Sequence, residues 1–216
     1  MAAQIHVVRH AESVHNVTKN FSQLDPPLTS LGFEQAAKLA NSFPHGGRVG
    51  IIITSPLRRA IQTALTAFSS ILDKRYFDPD SGYGVENGVS LVIDPLLQER
   101  SALGCDTGSD QAILQTAFPK LNFEELGNGW PSKKGIFSAG DEVVHERAKK
   151  VRSSLNVRSE QLKNSKKRDI VIVTHGVFMK FLTEESDIDL PKAGWKSYTI
   201  EKGREPDVKL VAADVI

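Results

Sequence analysis

The sequence predicts an α/β protein, a three-layer α/β/α sandwich around a mostly parallel, mixed sheet. Four short β-branched runs have the length and composition of buried strands, at residues 4–8, 49–54, 90–93 and 169–174. The segments between several of these runs carry apolar residues at helical spacing, and strands that alternate with helices form parallel sheets covered on both faces. Polar residues capable of chemistry follow the runs closely. α/β proteins place their sites at these carboxyl ends of strands.

Bulk properties exclude several classes of protein. The chain has 216 residues, of which 40% are hydrophobic and 25% charged, so residues 1–216 are expected to form one domain. The net charge of +1 gives no basic excess, and no nucleic acid is expected as a partner. No apolar run approaches the ~20 residues that span a bilayer, so no membrane partner is expected. A single cysteine and an N-terminus without a signal-peptide pattern favour a cytoplasmic location.

The first strand leads directly into a polar loop. Residues 4–8 read Q-I-H-V-V, and Arg9, His10 and Asn16 follow within eight residues. A histidine beside a strand is by itself more often an ordinary polar residue than a catalyst. A catalytic role for His10 is better supported here, because residues of related chemistry also follow the other strands.

The second strand is followed by a predicted helix that begins at Ser55-Pro56. Serine is a good N-cap, and proline suits the first helical position. Arg58 then lies in the first turn, where a cation opposes the helix dipole unless an anion is bound there. This position favours a phosphate site.

The rest of the chain supplies two further strand ends and a tail. Glu99 follows the third strand, and His175-Gly176 closes the fourth. Residues 110–136 mix a short helix with loops and are expected to select the substrate. The tail, at residues 195–200 and 207–211, predicts two more strands, which would allow pairing across a homodimer.

These motifs, in this order, resemble the histidine phosphatase superfamily, in its phosphoglycerate mutase-like branch. The resemblance rests on residues 9–13 (R-H-A-E-S), 28–36 (L-T-S-L-G-F-E-Q-A), 55–64 (S-P-L-R-R-A-I-Q-T-A), Glu99 and 174–176 (T-H-G). It implies His10 as the nucleophile and Glu99 as the proton donor to the leaving alcohol. It also implies a catalytic set of His10, Glu99, Arg9, Arg58 and His175, and a substrate-binding set of Asn16, Ser22, Arg9, Arg58 and Gly176.

The leading functional prediction is a metal-independent phosphatase that hydrolyses a small phosphomonoester through a phosphohistidine on His10. No metal-ligand spacing and no nucleotide-binding P-loop are present, so no metal and no cofactor are expected, and the partner is a small phosphorylated metabolite. Cofactor-dependent phosphoglycerate mutase is one alternative. The mutase pattern Glu-Arg-His-Tyr-Gly is replaced here by residues 99–103 (E-R-S-A-L), which favours hydrolysis. A catalytically silent phospho-ligand-binding module is the other alternative, although binding alone needs no proton donor.

Overall fold

A computed structural model describes residues 3–127, 129–203 and 208–213. Its strands are β1 (Ile5–Arg9), β2 (Val49–Thr54), β3 (Ser90–Ile93), β4 (Asp169–Thr174), β5 (Trp195–Lys202) and β6 (Val208–Ala212). Its α-helices are α1 (Val14–Thr18), α2 (Ser30–Ser42), α3 (Arg58–Ala67), α4 (Gln111–Ala117), α5 (Asp141–Leu162) and α6 (Gly176–Thr183).

The strands form one mixed sheet in the order β3-β2-β4-β1-β5-β6. The first four strands in this order are parallel to one another, and β5 and β6 are antiparallel to their neighbours. The predicted mostly parallel, mixed sheet is therefore confirmed. The two predicted tail strands correspond to β5 and β6, and Asp207 lies outside the described residues.

Alternation of side chains along the central strand explains the two covering layers. Ile170 and Ile172 pack with the apolar faces of α5 and α6, whereas Val171 and Val173 pack with those of α2 and α3. Successive strand residues point to opposite faces, so a strand that is apolar throughout must be covered on both sides. All six residues of β4 are buried.

One helix begins later than the sequence predicts. α3 begins at Arg58 with Leu57 as its N-cap residue, and not at Ser55-Pro56. The Ser55 hydroxyl instead accepts a hydrogen bond from the Leu57 N–H and lies 2.8 Å from the His175 ring nitrogen Nε2. The later start changes which residue of the first turn reaches back over the sheet.

The carboxyl ends of β1, β2 and β4 bring the sequence-predicted site together. β1 pairs with β4 so that Arg9 lies opposite Thr174, and His10 and His175 follow these residues directly. The His10 N–H donates to the Thr174 carbonyl, and the Ser55 N–H donates to that of Val173. Among the described residues, none of the helices combines the length and hydropathy needed to cross a bilayer.

Candidate active site

A cleft of about 320 Å³ lies at the carboxyl ends of these strands. Its walls come from the loop after β1, the start of α3, the loop after β3, the start of α6 and the segment before β5. The lining residues are Arg9, His10, His15, Asn16, Arg59, Glu99, Asp106, Gly176, Val177, Lys180, Asp189 and Lys192.

The His10 ring is held in the tautomer that leaves Nε2 unprotonated, and this nitrogen accepts a hydrogen bond from Arg59 Nε. Its Nδ1 lies 2.7 Å from the carbonyl oxygen of Ala11. A carbonyl can only accept, so Nδ1 carries the hydrogen and Nε2 keeps its lone pair. Burial, and then the nearby positive charge of Arg59, hold the pKa of His10 well below 6.5. His10 is therefore a neutral imidazole at pH 7.

Arg59 is the arginine that contacts this nucleophile. Its Nε lies 3.3 Å from His10 Nε2, and its guanidinium also donates to the Cys105 carbonyl and, at 2.9 Å, to Asp106 Oδ1. Asp106 Oδ2 in turn accepts a hydrogen bond of 2.6 Å from Ser101. The buried guanidinium is thus held in one orientation beside His10.

Arg58, which the sequence placed in the site, does not line the cleft. It is the first residue of α3, and its backbone N–H donates to Asp25 Oδ1 at 2.9 Å. Each helical residue turns the side-chain direction by about 100°, so only one of two adjacent arginines can face His10. The sequence placed Arg58 beside the nucleophile, but α3 begins later than predicted, and Arg59 occupies the position expected for Arg58.

Arg9 lies against the start of α6. Its Nη1 donates to Asp189 Oδ1 at 2.7 Å and to the Leu190 carbonyl. A Cβ at Gly176 would lie 3.0 Å from Arg9 Nη2, so the absent side chain allows this close approach. Arg9 and Gly176 both line the cleft, as the sequence predicts for two substrate-binding residues.

The Glu99 carboxylate is held by backbone N–H groups. Oε1 accepts from Arg100 and Phe178, each at 2.8 Å, and Oε2 accepts from Val177 at 3.1 Å. Val177 and Phe178 belong to the first turn of α6, where N–H groups lack helical partners and favour an anion. Oε2 has one such donor and keeps lone pairs with which to exchange a proton with the cleft.

His175 lies beneath the cleft. It is fully buried, and its ring centroid is 5.1 Å from that of His10. Within the described part of the chain, Nδ1 has no hydrogen-bond partner. Burial, followed by the positive charge of Arg59, holds the pKa of His175 well below 6.5, so a protonated His175 is not favoured in this arrangement. Its contribution would be a neutral hydrogen bond.

The two remaining predicted residues have different positions. Asn16 lines the cleft, with Oδ1 accepting from the Ser13 N–H and Nδ2 lying 3.1 Å from His15 Nε2. Ser22 is exposed in the loop after α1 and donates to Asn20 Oδ1 at 2.7 Å. The structure therefore does not bring Ser22 into the lining of the cleft. Its backbone instead packs against Gly104, in the loop that also carries Asp106.

Sequence reasoning missed several cleft residues besides Arg59. Asp106, Lys180, Asp189 and Lys192 all line the cleft. Asp189 and Lys192 come from the irregular segment between α6 and β5, which carries no local signal of proximity to β1. Lys180 is the exception, because it lies one helical turn after Gly176 and shares its face of α6.

One cluster has the residue types of a metal site. Ligand atoms of His15, Cys105 and Asp106 lie within 4.8 Å of one another. Burial raises the pKa of the Cys105 thiol to about 11, which disfavours the thiolate that a metal requires. The Arg59 guanidinium already forms an ion pair with Asp106, and its positive charge would repel a metal cation bound there. These residues do not fit a divalent ion.

Comparison with known proteins identifies the family. The model of the histidine phosphatase superfamily (branch 1) matches residues 5–76. A protein of Hydrogenobacter thermophilus, named provisionally as phosphoserine phosphatase 2, is 35% identical over 174 residues, which cover 80% of this chain and 73% of the relative. The chain belongs to the histidine phosphatase superfamily. The prediction of an enzyme of the histidine phosphatase type is thus confirmed at the level of the family.

Two further proteins are similar to this chain, one in sequence and one in fold. Phosphoglycerate mutase-like protein 1 of Arabidopsis thaliana is 28% identical over 204 residues, covering 81% of this chain and 68% of the relative. The structure of a mycobacterial glucosyl-3-phosphoglycerate phosphatase superposes with a TM-score of 0.61 at 19% identity and covers 99% of each chain. The structural match agrees with the α/β fold described above.

Proposed function

We propose that this histidine phosphatase hydrolyses a small phosphomonoester through a phosphohistidine on His10. The observation that carries the proposal is the unprotonated Nε2 of His10, fixed by the Nδ1–H bond to Ala11 and placed in a cleft with Arg9 and Arg59. A neutral imidazole that cannot rotate away is suited to in-line attack on phosphorus. The cleft volume of about 320 Å³ suits a small substrate.

The proposed reaction has two displacements. In the first, a bond forms between His10 Nε2 and phosphorus, and the bond from phosphorus to the alcohol oxygen breaks. Glu99 Oε2 takes a proton from the monoanionic substrate as it binds and passes this proton to the departing oxygen. In the second, Glu99 takes a proton from water as the water oxygen attacks phosphorus, and the bond to His10 breaks. Arg9 and Arg59 balance the charge on the equatorial oxygens. No step requires a metal ion.

The relatives guide the choice of substrates. One is named as a phosphoserine phosphatase and another as a glucosyl-3-phosphoglycerate phosphatase, and an Entamoeba histolytica phosphoserine phosphatase in complex with phosphoserine has the same fold (TM-score 0.51, 19% identity, covering 97% and 95% of the two chains). A test panel therefore contains phosphoserine, 3-phosphoglycerate, glucosyl-3-phosphoglycerate, a sugar phosphate and an aryl phosphate.

The deciding experiment measures phosphate release with a chelator present. Wild type is expected to be active, His10→Ala to lose activity below detection, and His145→Ala to match wild type. His145 is exposed on α5 and does not line the cleft, so it is the matched control. Rapid quenching with labelled substrate should trap an acid-labile phosphoenzyme in wild type only.

Other results would replace the proposal. Conversion of 3-phosphoglycerate to 2-phosphoglycerate without phosphate release would indicate the mutase alternative. Binding of phosphorylated compounds with no turnover in any assay would indicate the silent binding module. Activity in His10→Ala equal to that of wild type would exclude the phosphohistidine.

A further inference from the structure

Lys192 is held beside the nucleophile by its loop. The Arg9 N–H donates to the Gly194 carbonyl at 2.9 Å, and the Arg9 side chain binds Asp189 and the Leu190 carbonyl on the other side of Lys192. Ala193 has a positive φ of 57°. Hydrogen bonds from β1 therefore fix both ends of this short segment.

The Lys192 ammonium is a cation without a partner. It is half-buried and lines the His10 cleft, and among the described residues Nζ has no hydrogen bond or ion pair. Burial, and then repulsion from Arg9 and Arg59, lower the pKa of Lys192 to about 8, although Glu99 and Asp189 oppose this effect. Such a charge is unfavourable unless an anion enters the cleft.

The two cleft arginines already have acidic partners. Arg9 is paired with Asp189, and Arg59 with Asp106. A phosphoryl dianion that enters beside His10 therefore meets two partly neutralised guanidinium groups and two lysines, Lys180 and Lys192, for which the described residues show no hydrogen bond or ion pair. Of these two, Lys192 is the one whose positive charge helps to lower the pKa of His10, so it is the better placed for the phosphoryl group.

We propose that Lys192 binds the phosphoryl group of the substrate directly, as a third cation beside Arg9 and Arg59. The proposal rests on the proposed function, because it assumes that a phosphomonoester occupies the His10 cleft. A lysine that bound the leaving group instead would act only on some substrates. The half-buried Lys180 of the same cleft, or the residues of a neighbouring cleft, would be suited to that role.

The neighbouring cleft provides the matched control. It has a volume of about 420 Å³, shares Lys192 with the first, and is otherwise lined by Gln35, Lys38, Leu39, Ser42, Pro191, Ala193, Gly194 and Trp195. Lys38 carries the same charge as Lys192 but does not line the His10 cleft. Lys38→Met therefore reproduces the loss of charge without removing the proposed phosphoryl contact.

The first test compares substrates with different leaving groups. Lys192→Met is expected to lower kcat/KM about 10- to 100-fold, as one lost hydrogen bond to a charged group would. The loss should be equal for an aryl phosphate and for phosphoserine, since both carry the phosphoryl group, and Lys38→Met should match wild type. A loss confined to phosphoserine, or an equal loss in Lys38→Met, would overturn the proposal.

The second test uses pH, since the ammonium of Lys192 is charged below its pKa of about 8 and neutral above it. The kcat/KM of wild type should therefore fall above about pH 8, because this ratio reports the free enzyme. Lys192→Arg should keep its activity to about pH 9.5, because arginine stays protonated there. Lys133, whose pKa burial also lowers to about 8, donates to the Glu99 carbonyl nearby. A basic limb that persists in Lys192→Arg would belong to Lys133 or another group and contradict the proposal.

A binding measurement separates this proposal from the proposed function. Inorganic phosphate is titrated into wild type, Lys192→Met and Lys38→Met by calorimetry, and the affinity should fall about 10-fold or more in Lys192→Met alone. Equal affinity in all three proteins would exclude the Lys192 contact even if the enzyme is an active phosphatase. Weakened phosphate binding in a protein without turnover would keep the contact and exclude the hydrolysis.

Discussion

Two adjacent arginines at the start of α3 have different roles, because only Arg59 contacts His10. Arg59→Met is expected to lower kcat/KM about 10²- to 10³-fold, the usual effect of removing one donor that stabilises transition-state charge. Arg58→Met should stay within about threefold of wild type, because the Arg58 side chain does not line the cleft. Steady-state kinetics with an aryl phosphate checks both variants. A larger loss in Arg58→Met than in Arg59→Met would restore the assignment made from sequence.

The sequence could not choose between these arginines, and the reason is geometric. Residue types and spacing place His10, Glu99 and His175 at strand ends, where the direction of the chain is fixed by the sheet. The direction of a helical side chain depends on where the helix begins, and Ser55-Pro56 is a plausible start by capping preference. The Ser55 hydroxyl is used instead by the Leu57 N–H and His175, and this tertiary contact overrides the local preference.

At the scale of elements, one buried carboxylate joins the loops that carry the site. Asp25 accepts from the Arg58 N–H at 2.9 Å, and from the Ser109 N–H at 3.1 Å. It thus connects the segment before α2 to the start of α3 and to the end of the loop that contains Asp106. Its φ of 41° is unusual for a residue other than glycine. The position of Arg59 therefore depends on a residue outside the cleft.

Asp25→Asn should destabilise the protein and weaken catalysis together. An amide has only one acceptor oxygen, so one buried N–H loses its partner, which costs about 1–3 kcal/mol of unfolding free energy. The shift of α3 should also lower kcat/KM. Urea unfolding and kinetics on the same samples check both effects, with exposed Asp110→Asn as the control. Full stability in Asp25→Asn would contradict the connecting role.

Elements with a regular pattern were predictable, and irregular ones were not. β2, β3 and β4 have the bounds that their β-branched runs predict. Asp106 and Lys192 lie in irregular segments whose course depends on contacts with β1 and α3, and no periodicity encodes those contacts. Within residues 110–127 and 129–136, which the structure describes, none lines the His10 cleft, so the selective role of this segment stays a prediction.

At the scale of the whole molecule, the two ends of the sheet have different functions. The carboxyl ends carry the cleft, and the amino ends carry a buried charge network around Asp169. Asp169 is bound by both ends of the Arg48 guanidinium fork, at 2.9 and 3.1 Å, and by the Gln4 N–H, while His6 lies 3.5 Å away. Asp169, the first residue of β4, and His175 are six positions apart, or about 20 Å of strand. Stability and catalysis can therefore be changed separately.

Asp169→Asn should lower stability without changing catalysis in the folded protein. Burial alone would raise the pKa of Asp169, but its contacts with His6, Gln4 and Arg48 outweigh burial and hold the pKa below its usual value. A lowered pKa in the folded state gives stability that is present above the unfolded pKa of about 3.9 and is lost as pH falls through the folded value. At pH 7 the loss should be about 3–5 kcal/mol, because a buried pair is broken.

Urea unfolding of Asp169→Asn and wild type from about pH 7 to about pH 3 measures the difference in their unfolding free energies. This difference should be constant above about pH 5 and shrink below about pH 4, because the wild-type carboxylate is then protonated. Asp78→Asn is the control, because its exposed carboxylate lies 3.8 Å from Lys120 and such a pair contributes little. A pH-independent difference would show that Asp169 acts through packing and not through its charge. Loss of kcat/KM in folded Asp169→Asn would show instead that the two ends of β4 are coupled.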